Sequence, residues 1–408
     1  MGFLVSHSNS KISSSFKISG SKSESNRLLI LKYLFKNIQI ENLSNSDDTT
    51  ALKNGLSSKS KIVNVGHAGT AMRFLTACFS VQNNKYYEIH GSDRMHNRPI
   101  KILVDALNDM GADIKYLNKN GYPPLKIHGR ELNKFCITLD SSVSSQFITA
   151  LILIGPSLEK GLTINLSGKI TSKPYIEMSL FLLNRIGVQT TFLKNRIEIK
   201  PFINNKKNIQ KVESDWSSLS YFYSIVALSN DFNLNISSFF TDSLQGDKRL
   251  INIYNKLGVK TIFNNGVIKL IKKKDFMLPK KLILDLNDTP DLAQTISVTC
   301  FGLGISCDLY GLKTLKIKET DRLIALKNEF EKLGAITNVT NQSFHLKKQT
   351  IFNSHALIDT YEDHRMAMAF TPLALLKPIV INDPNVISKS FPDFWSILDK
   401  LNFKISEY

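Results

Sequence analysis

Six times along the chain, an amphipathic helical stretch runs into a Gly or Asn, then an apolar residue, then a strand-like segment. The instances are LKYLFKNIQI (31–40), VDALNDMGADI (104–114), FLLNRIGVQTTF (181–192), INIYNKLGVKTIF (251–263), LKNEFEKLGAITNV (326–339) and ILDKLNFKI (397–405). Gly and Asn tolerate the left-handed conformation that closes a helix. The punctuating residues Asn37, Gly111, Gly187, Gly258, Gly334 and Asn402 are 74, 76, 71, 76 and 68 positions apart. Six units of about 68 residues therefore account for all 408 residues. That period is longer than the roughly 20–50 residues of a solenoid repeat. Short alternating segments such as KYYEIHG (85–91) and RIEIKP (196–201) lie between the helices and read as strands. Each unit is a small α/β module.

The entries to the repeated helices read SKSESNRLL (21–29), DRMHNRPI (93–100), TSKPYIEM (171–178), QGDKRLI (245–251), KIKETDRLI (316–324) and SKSFPDF (388–394). Ser, Thr, Asp and Pro belong at such places as caps. The Lys and Arg in every entry do not, because positive charge opposes the dipole at a helix start. An anion shared between free N–H groups and these cations would compensate the conflict.

Composition narrows the options. Lys and Arg total 52 against 35 Asp and Glu, a formal net charge of +17. Such an excess points to anionic partners, although an abundance of Lys, Asn and Ile also follows from coding bias. No apolar run approaches the roughly 18 residues of a membrane helix. MGFLVSHSNSKISSS has no apolar signal core. The four cysteines, Cys78, Cys136, Cys300 and Cys307, form no CxxC and have no His at metal-ligand spacing. All four read as reduced core residues, which places the protein in the cytoplasm.

GHAGTAMRFL (66–75) follows the apolar segment KIVNV and opens an apolar helix. Gly69 allows close approach to the backbone, Thr70 can cap, and Arg73 offers a fork of donors. Around it stand SKSESNR (21–27), RMHNRPI (94–100), SVSSQF (142–147), SKPYIEM (172–178), PDLAQT (290–295), KETDRL (318–323), TYEDHRMAMAF (360–370) and SKSFPDFW (388–395).

This set, in this order, closely resembles the 5-enolpyruvylshikimate-3-phosphate synthase family of 3-phosphoshikimate 1-carboxyvinyltransferases, from about Phe16 to Phe394. The resemblance implies an α/β (α+β) fold of two similar lobes, each of three βαβαββ units, an inside-out α/β barrel. One lobe would span 19–213 and carry most of the shikimate 3-phosphate site. The other, 1–18 plus 214–408, would carry the catalytic carboxylates and part of the phosphoenolpyruvate site. The implied reaction moves the enolpyruvyl group of phosphoenolpyruvate to the 5-hydroxyl of shikimate 3-phosphate and releases phosphate, a step towards chorismate and the aromatic amino acids.

By the same resemblance, phosphoenolpyruvate falls to Lys22, Gly69, Arg98, Gln146, Arg322, His364, Arg365 and Lys389. Shikimate 3-phosphate falls to Lys22, Ser23, Arg27, Ser144, Ser145, Gln146, Ser172, Tyr175, Asp291, Thr314 and Lys318. Asp291 would take the proton of the 5-hydroxyl. Glu319 would protonate the methylene carbon of phosphoenolpyruvate, with Lys22 a second candidate donor. Paired carboxylates among cations suit such acid–base work. Neither metal nor cofactor is expected, since Lys and Arg already meet the developing charge. The family's donor-site inhibitor, glyphosate, is expected to act here. The expected partners are small anions, with no nucleic acid and no membrane, and the protein is expected to be a monomer.

Each residue also has a plain reading. Asp291 after Pro290 could simply start a helix, and Glu319, Asp321 and Arg322 could be an ordinary capped first turn. His364-Arg365 could be an exposed polar turn. IKKKD (271–275) and LKKQ (346–349) read as solvated faces, and Tyr86-Tyr87 as core. Three positions depart from the family pattern: His67 and Thr314 where Asn is usual, and Phe74 where Pro is common. The alternatives in function are a UDP-N-acetylglucosamine enolpyruvyl transferase, which would need a loop Cys, and a basic nucleic-acid binding protein. The second lacks zinc-finger and aromatic-interleaved basic motifs.

Overall fold

The computed structural model describes all residues except 9, 142–143, 204–205, 349–351 and 353. The first two of the SVSSQF motif and Gln349 of LKKQ thus lie outside the described residues. The chain forms two compact units, Gly20–Val212 and Met1–Ser19 with Glu213–Tyr408. The divisions fall one residue inside the expected 19–213.

One plan recurs in five four-stranded sheets: a parallel pair, then two antiparallel neighbours. In the unit Gly20–Val212, Ile62–Asn64 runs parallel to Tyr86–His90, which pairs with Leu125–His128, which pairs with Asp113–Tyr116. Cys136–Asp140, Leu162–Ser167, Arg196–Ile199 and Thr190–Leu193 repeat the pattern. In the other unit Ile12–Lys17, Phe232–Ser237, Val267–Lys272 and Val259–Asn264 do so. So do Lys281–Asp285, Ser306–Tyr310, Ser343–Leu346 and Thr337–Val339. The last sheet joins Ala356–Ile358, Ile379–Asn382, Gly2–Ser6 and Lys404–Glu407, so both chain ends share one module.

In four of these five modules the order is strand, helix, strand, helix, hairpin, which is the βαβαββ unit expected, and in the fifth the two chain ends pair in place of the hairpin. The sixth module differs. It has only the parallel pair Ile38–Glu41 and Asn208–Lys211, with no hairpin among the described residues.

Each full module places one helix just ahead of the second of its parallel strands, and in the short module Lys22–Leu34 stands just ahead of Ile38–Glu41. These helices are buried nearly all round, as in Gly69–Ser80, Ser145–Ile154, Trp216–Leu228 and Ala293–Gly302. A helix apolar on every face must sit at the centre of a domain. Three pack together in each unit: Lys22–Leu34, Gly69–Ser80 and Ser145–Ile154 in one, Trp216–Leu228, Ala293–Gly302 and His364–Phe370 in the other. The sheets form the outside, and alternate along their strands between buried and exposed residues, as in Lys281–Asp285.

The second helix of each full module is the repeated one, and Gly111, Gly187, Gly258, Gly334 and Asn402 close it with positive φ. Asn37 does not fit. Its helix, Lys22–Leu34, is the central helix of the short module and ends through an extended Phe35. The first phrase of the repeat thus shares the wording but not the structural position.

Three further expectations are corrected. Cys136 is exposed at the start of its strand, whereas the other three cysteines are buried. Tyr86 is half-exposed and stacks on His128 at a ring separation of 4.1 Å, so only its neighbour Tyr87 turns inward, onto Phe79. Lys272 is not on a solvated face: its ammonium donates to the Ala227 carbonyl, and burial pulls its pKa down.

Candidate active site

In Gly20–Val212 the expected residues gather at the starts of the central helices. Ser21 caps the first helix by accepting from the Glu24 amide, and Lys22 is its first residue. Lys22 Nζ lies 3.3 Å from Oδ2 of Asp48, a buried residue of the next helix. Arg27, one turn on, is nearly enclosed. It donates Nε to Ser179 Oγ (2.8 Å), Nη1 to the Ser23 carbonyl (2.8 Å), and Nη2 to the Tyr175 carbonyl (3.1 Å) and Thr149 Oγ1 (3.4 Å). Its guanidinium also lies 5.7 Å from the Tyr175 ring and 5.8 Å from Phe74, so the Pro-to-Phe departure helps wall this arginine in. Burial pulls its pKa down to about 10.

Ser144 caps the helix Ser145–Ile154, accepting from the Gln146 amide at 3.3 Å. Gln146 Nε2 donates to Thr70 Oγ1 at 3.2 Å, which ties this helix start to that of Gly69–Ser80. Gly69 is the first residue there, and two guanidinium groups close directly over it. A Cβ at this position would lie 2.6 Å from Arg98 Nη1 and 2.9 Å from Arg73 Nη1. Arg73 Nη1 donates back to the Gly69 carbonyl at 2.8 Å. His67 Nδ1 is 3.0 Å from Ser92 Oγ. Ser172 holds the left-handed φ of +53° just before Lys173–Arg185, with Tyr175 in that helix's first turn.

In the other unit the expected residues form one charged cluster. Asp291 Oδ1 accepts from Arg322 Nη1 (2.8 Å) and lies 3.2 Å from Lys318 Nζ. Its Oδ2 accepts from Arg365 Nη2 at 3.2 Å, and its carbonyl from Arg365 Nη1 at 3.1 Å. Glu319 Oε2 accepts from Arg322 Nη2 (2.8 Å), and its Oε1 lies 3.1 Å from Lys389 Nζ. Glu319 lies in the bend just before Asp321 caps the helix Arg322–Lys332, which sets it against the first residue of that helix. Four cations thus surround two carboxylates, with segments 291, 318–322, 365 and 389 all contributing. Burial works to raise the Asp291 pKa, yet Lys318, Arg365 and Arg322 together hold it far below the usual carboxylate range. The plain reading of His364-Arg365 as an exposed turn is overturned: both are buried. The Thr314 hydroxyl oxygen is also buried, and finds no hydrogen-bond partner in the structure.

Three residues of this cluster escaped the sequence reading. Asp363 is fully buried, accepts from Arg322 Nε at 2.6 Å and from the Arg365 amide at 2.9 Å, and so joins two of the cations. Ser217 Oγ receives Arg365 Nη2 at 3.4 Å and donates to buried Asp247. The signals were present in YEDHR and QGD, but each also reads as an ordinary cap. Among the described residues no group of three or more His, Cys, Asp or Glu could hold a metal, and no helix is long and apolar enough to cross a membrane.

The architecture of three-module units around central helices, with cation-rich sites at the helix starts, is that of an enolpyruvyl transferase. EPSP synthase from Acinetobacter baumannii shares the fold over 100% of both chains (TM-score 0.77, 19% identity). The enolpyruvyl transferase NikO from Streptomyces tendae does so over 99% of this chain and 98% of its own (TM-score 0.73, 12% identity).

Sequence narrows the class further. The model of the EPSP synthase (3-phosphoshikimate 1-carboxyvinyltransferase) family matches residues 51–398. A 3-phosphoshikimate 1-carboxyvinyltransferase of Bacteroides fragilis strain ATCC 25285 is 42% identical over 414 residues, 99% of each chain. One from Neisseria meningitidis serogroup B is 34% identical over 418 residues, covering 95% of this chain and 96% of its own. The chain belongs to the EPSP synthase family.

Proposed function

We infer that the two sets of residues described above serve one reaction, the transfer of the enolpyruvyl group of phosphoenolpyruvate to the 5-hydroxyl of shikimate 3-phosphate. The observation that carries the reading is the sharing of Arg322 between Asp291 and Glu319. Two carboxylates on one guanidinium supply a base and an acid a few ångströms apart, within a ring of cations that suits anionic substrates.

Each substrate carries a phosphate and a carboxylate, roughly −2.5 to −3 in total. Shikimate 3-phosphate takes Lys22, Ser23, Arg27, Ser144, Ser145, Gln146, Ser172, Tyr175, Thr314 and Lys318. Arg27 already commits most of its donors within the protein, so its share is a single remaining N–H and its charge. Phosphoenolpyruvate takes Lys22, Gly69, Gln146, Arg98, Arg322, His364, Arg365 and Lys389. Asp291 accepts the 5-hydroxyl proton as the oxygen attacks C2 of phosphoenolpyruvate. Glu319 gives a proton to C3, so the double bond becomes a methyl group and C2 becomes tetrahedral. The C2–O bond to phosphate then breaks, a methyl proton returns to Glu319, and the phosphate leaves with the proton that Asp291 had taken. Substrate anions draw Arg322 and Lys389 away from Glu319, which raises its affinity for the proton it must deliver.

The test is phosphate release with phosphoenolpyruvate and each of two acceptors. Release with shikimate 3-phosphate, and none with a uridine-diphosphate amino sugar, is expected. The reverse preference would overturn the reading.

A further inference from the structure

The helix Arg322–Lys332 grips the loop 359–363 twice. At its start Arg322 donates Nε to Asp363 Oδ2 (2.6 Å) and Nη2 to Oδ1 (3.3 Å). In its last turn Glu329, fully buried, accepts from the Tyr361 hydroxyl (2.6 Å), the Asp359 amide (3.0 Å) and Lys332 Nζ (2.9 Å). Lys332 also reaches Asp359 Oδ2 (2.7 Å), whose other oxygen accepts from Asn382 Nδ2 (2.9 Å).

Between the two grips, Tyr361 and Glu362 both hold φ of +54°. One non-Gly residue in that region is uncommon, and two in succession persist only where the surroundings over-determine them. The next residue, Asp363, caps the helix His364–Phe370 and carries Arg322. Three residues after the bend, Arg365 reaches Asp291. A buried carboxylate is poor value for stability alone, since apolar residues of like volume serve as well or better. What Glu329 supplies is a fixed point beneath the bend.

We propose that Glu329 and Tyr361 are positioning residues for the transfer reaction: their hydrogen bond holds residues 361–362 in the left-handed bend that sets Asp363, and through it Arg322 and Arg365, around Asp291. The proposal rests on the reading of the Asp291 cluster as the reacting site. Neither residue touches substrate. Their effect passes through the bend to two guanidinium groups whose placement decides how well developing charge is met.

The experiment compares Tyr361→Phe, Glu329→Gln, Glu362→Gly and the double variant Tyr361→Phe/Glu362→Gly in the full chain. The measurements are kcat, KM for both substrates, and Tm, with Arg365→Ala as reference. Tyr361→Phe and Glu329→Gln should each lower kcat about tenfold, with both KM values within about threefold. Glu362 is exposed, so glycine there removes only the backbone penalty. Alone it should leave kcat within about twofold, and in the Tyr361→Phe background it should restore at least half of the lost activity. A lowered Tm with kcat unchanged would make the clamp structural only and overturn the proposal, as would a double variant no better than Tyr361→Phe. Should Arg365→Ala keep kcat and KM within about threefold of wild type, the reading of the cluster as the reacting site would fall first.

Discussion

Lys318 Nζ and Asp291 Oδ1 are 3.2 Å apart, and each shifts the other's hold on protons. Burial lowers the Lys318 pKa, with Asp291 opposing and Arg322 adding to the fall. Burial also works to raise Asp291, but Lys318, Arg365 and Arg322 prevail and keep it ionised. A carboxylate held so low is a poor base. Substrate anions that engage the same cations would release it when its basicity is needed.

Asp291→Asn should therefore lower kcat by about 10²–10⁴-fold, the usual contribution of such a group, with smaller effects on KM. An effect on KM alone would make Asp291 a binding group. The depressed pKa also carries a stability sign. The Asp291 contribution is present above the ordinary Asp value of about 4 and is lost as the pH falls below it. Tm should drop more between pH 6 and pH 3.5 in wild type than in Asp291→Asn.

Asp247 has the opposite sign. Burial raises its pKa to about 6, against the favourable effects of Ser217 and Arg365. A carboxyl raised in the fold stabilises below its unfolded value of about 4, and that benefit disappears as the pH rises through about 6. Asp247→Asn should accordingly stabilise the protein at pH 7.5 by on the order of 2–3 kcal/mol and leave it nearly unchanged below pH 4. Thermal melts at the two pH values check this.

Gly69→Ala places a methyl group against the ends of Arg98 and Arg73 rather than against backbone. The arginines can yield, so folding should survive while Arg98 shifts, at a cost of about 1–3 kcal/mol in donor binding. KM for phosphoenolpyruvate should rise about tenfold at little change in kcat. The family resemblance puts glyphosate at the donor site, so its inhibition constant should rise more, its bulk being greater. Equal constants in wild type and variant would remove Gly69 from the donor site.

Lys22→Met removes the partner of buried Asp48 as well as a cation of the site. Activity should fall by roughly 10²–10³-fold, the scale of a lost charge-stabilising donor, and Tm should fall too. Lys22→Met/Asp48→Asn should recover the Tm without recovering activity. Recovery of both would reduce Lys22 to a structural role.

Much of this was legible in the sequence because module punctuation and helix entries are local. Gly111, Gly187, Gly258 and Gly334 mark helix ends by their own backbone freedom. The motif segments fell at helix starts for the same reason. What sequence could not display is what the sheets and the packing bring together. Asn37 shares its phrase with the others but sits in a module without a hairpin. Cys136 has apolar neighbours in sequence, yet alternation along its strand turns it outward. Asp363 and Asp247 look like caps until Arg322 and Ser217, 41 and 30 residues away, are seen to meet them. Glu329 is one more Glu on a charged helix until Tyr361 closes over it.

The central claim is that addition and elimination pass through a methyl group made and unmade by Glu319. Running the reaction in deuterium oxide tests it directly. Protonation of C3 followed by loss of any of three equivalent hydrogens must carry deuterium into the vinyl methylene of the product and of recovered phosphoenolpyruvate, readable by mass spectrometry. Glu319→Gln should abolish that exchange along with turnover. Product formed at the normal rate with no deuterium at the methylene carbon would contradict the mechanism.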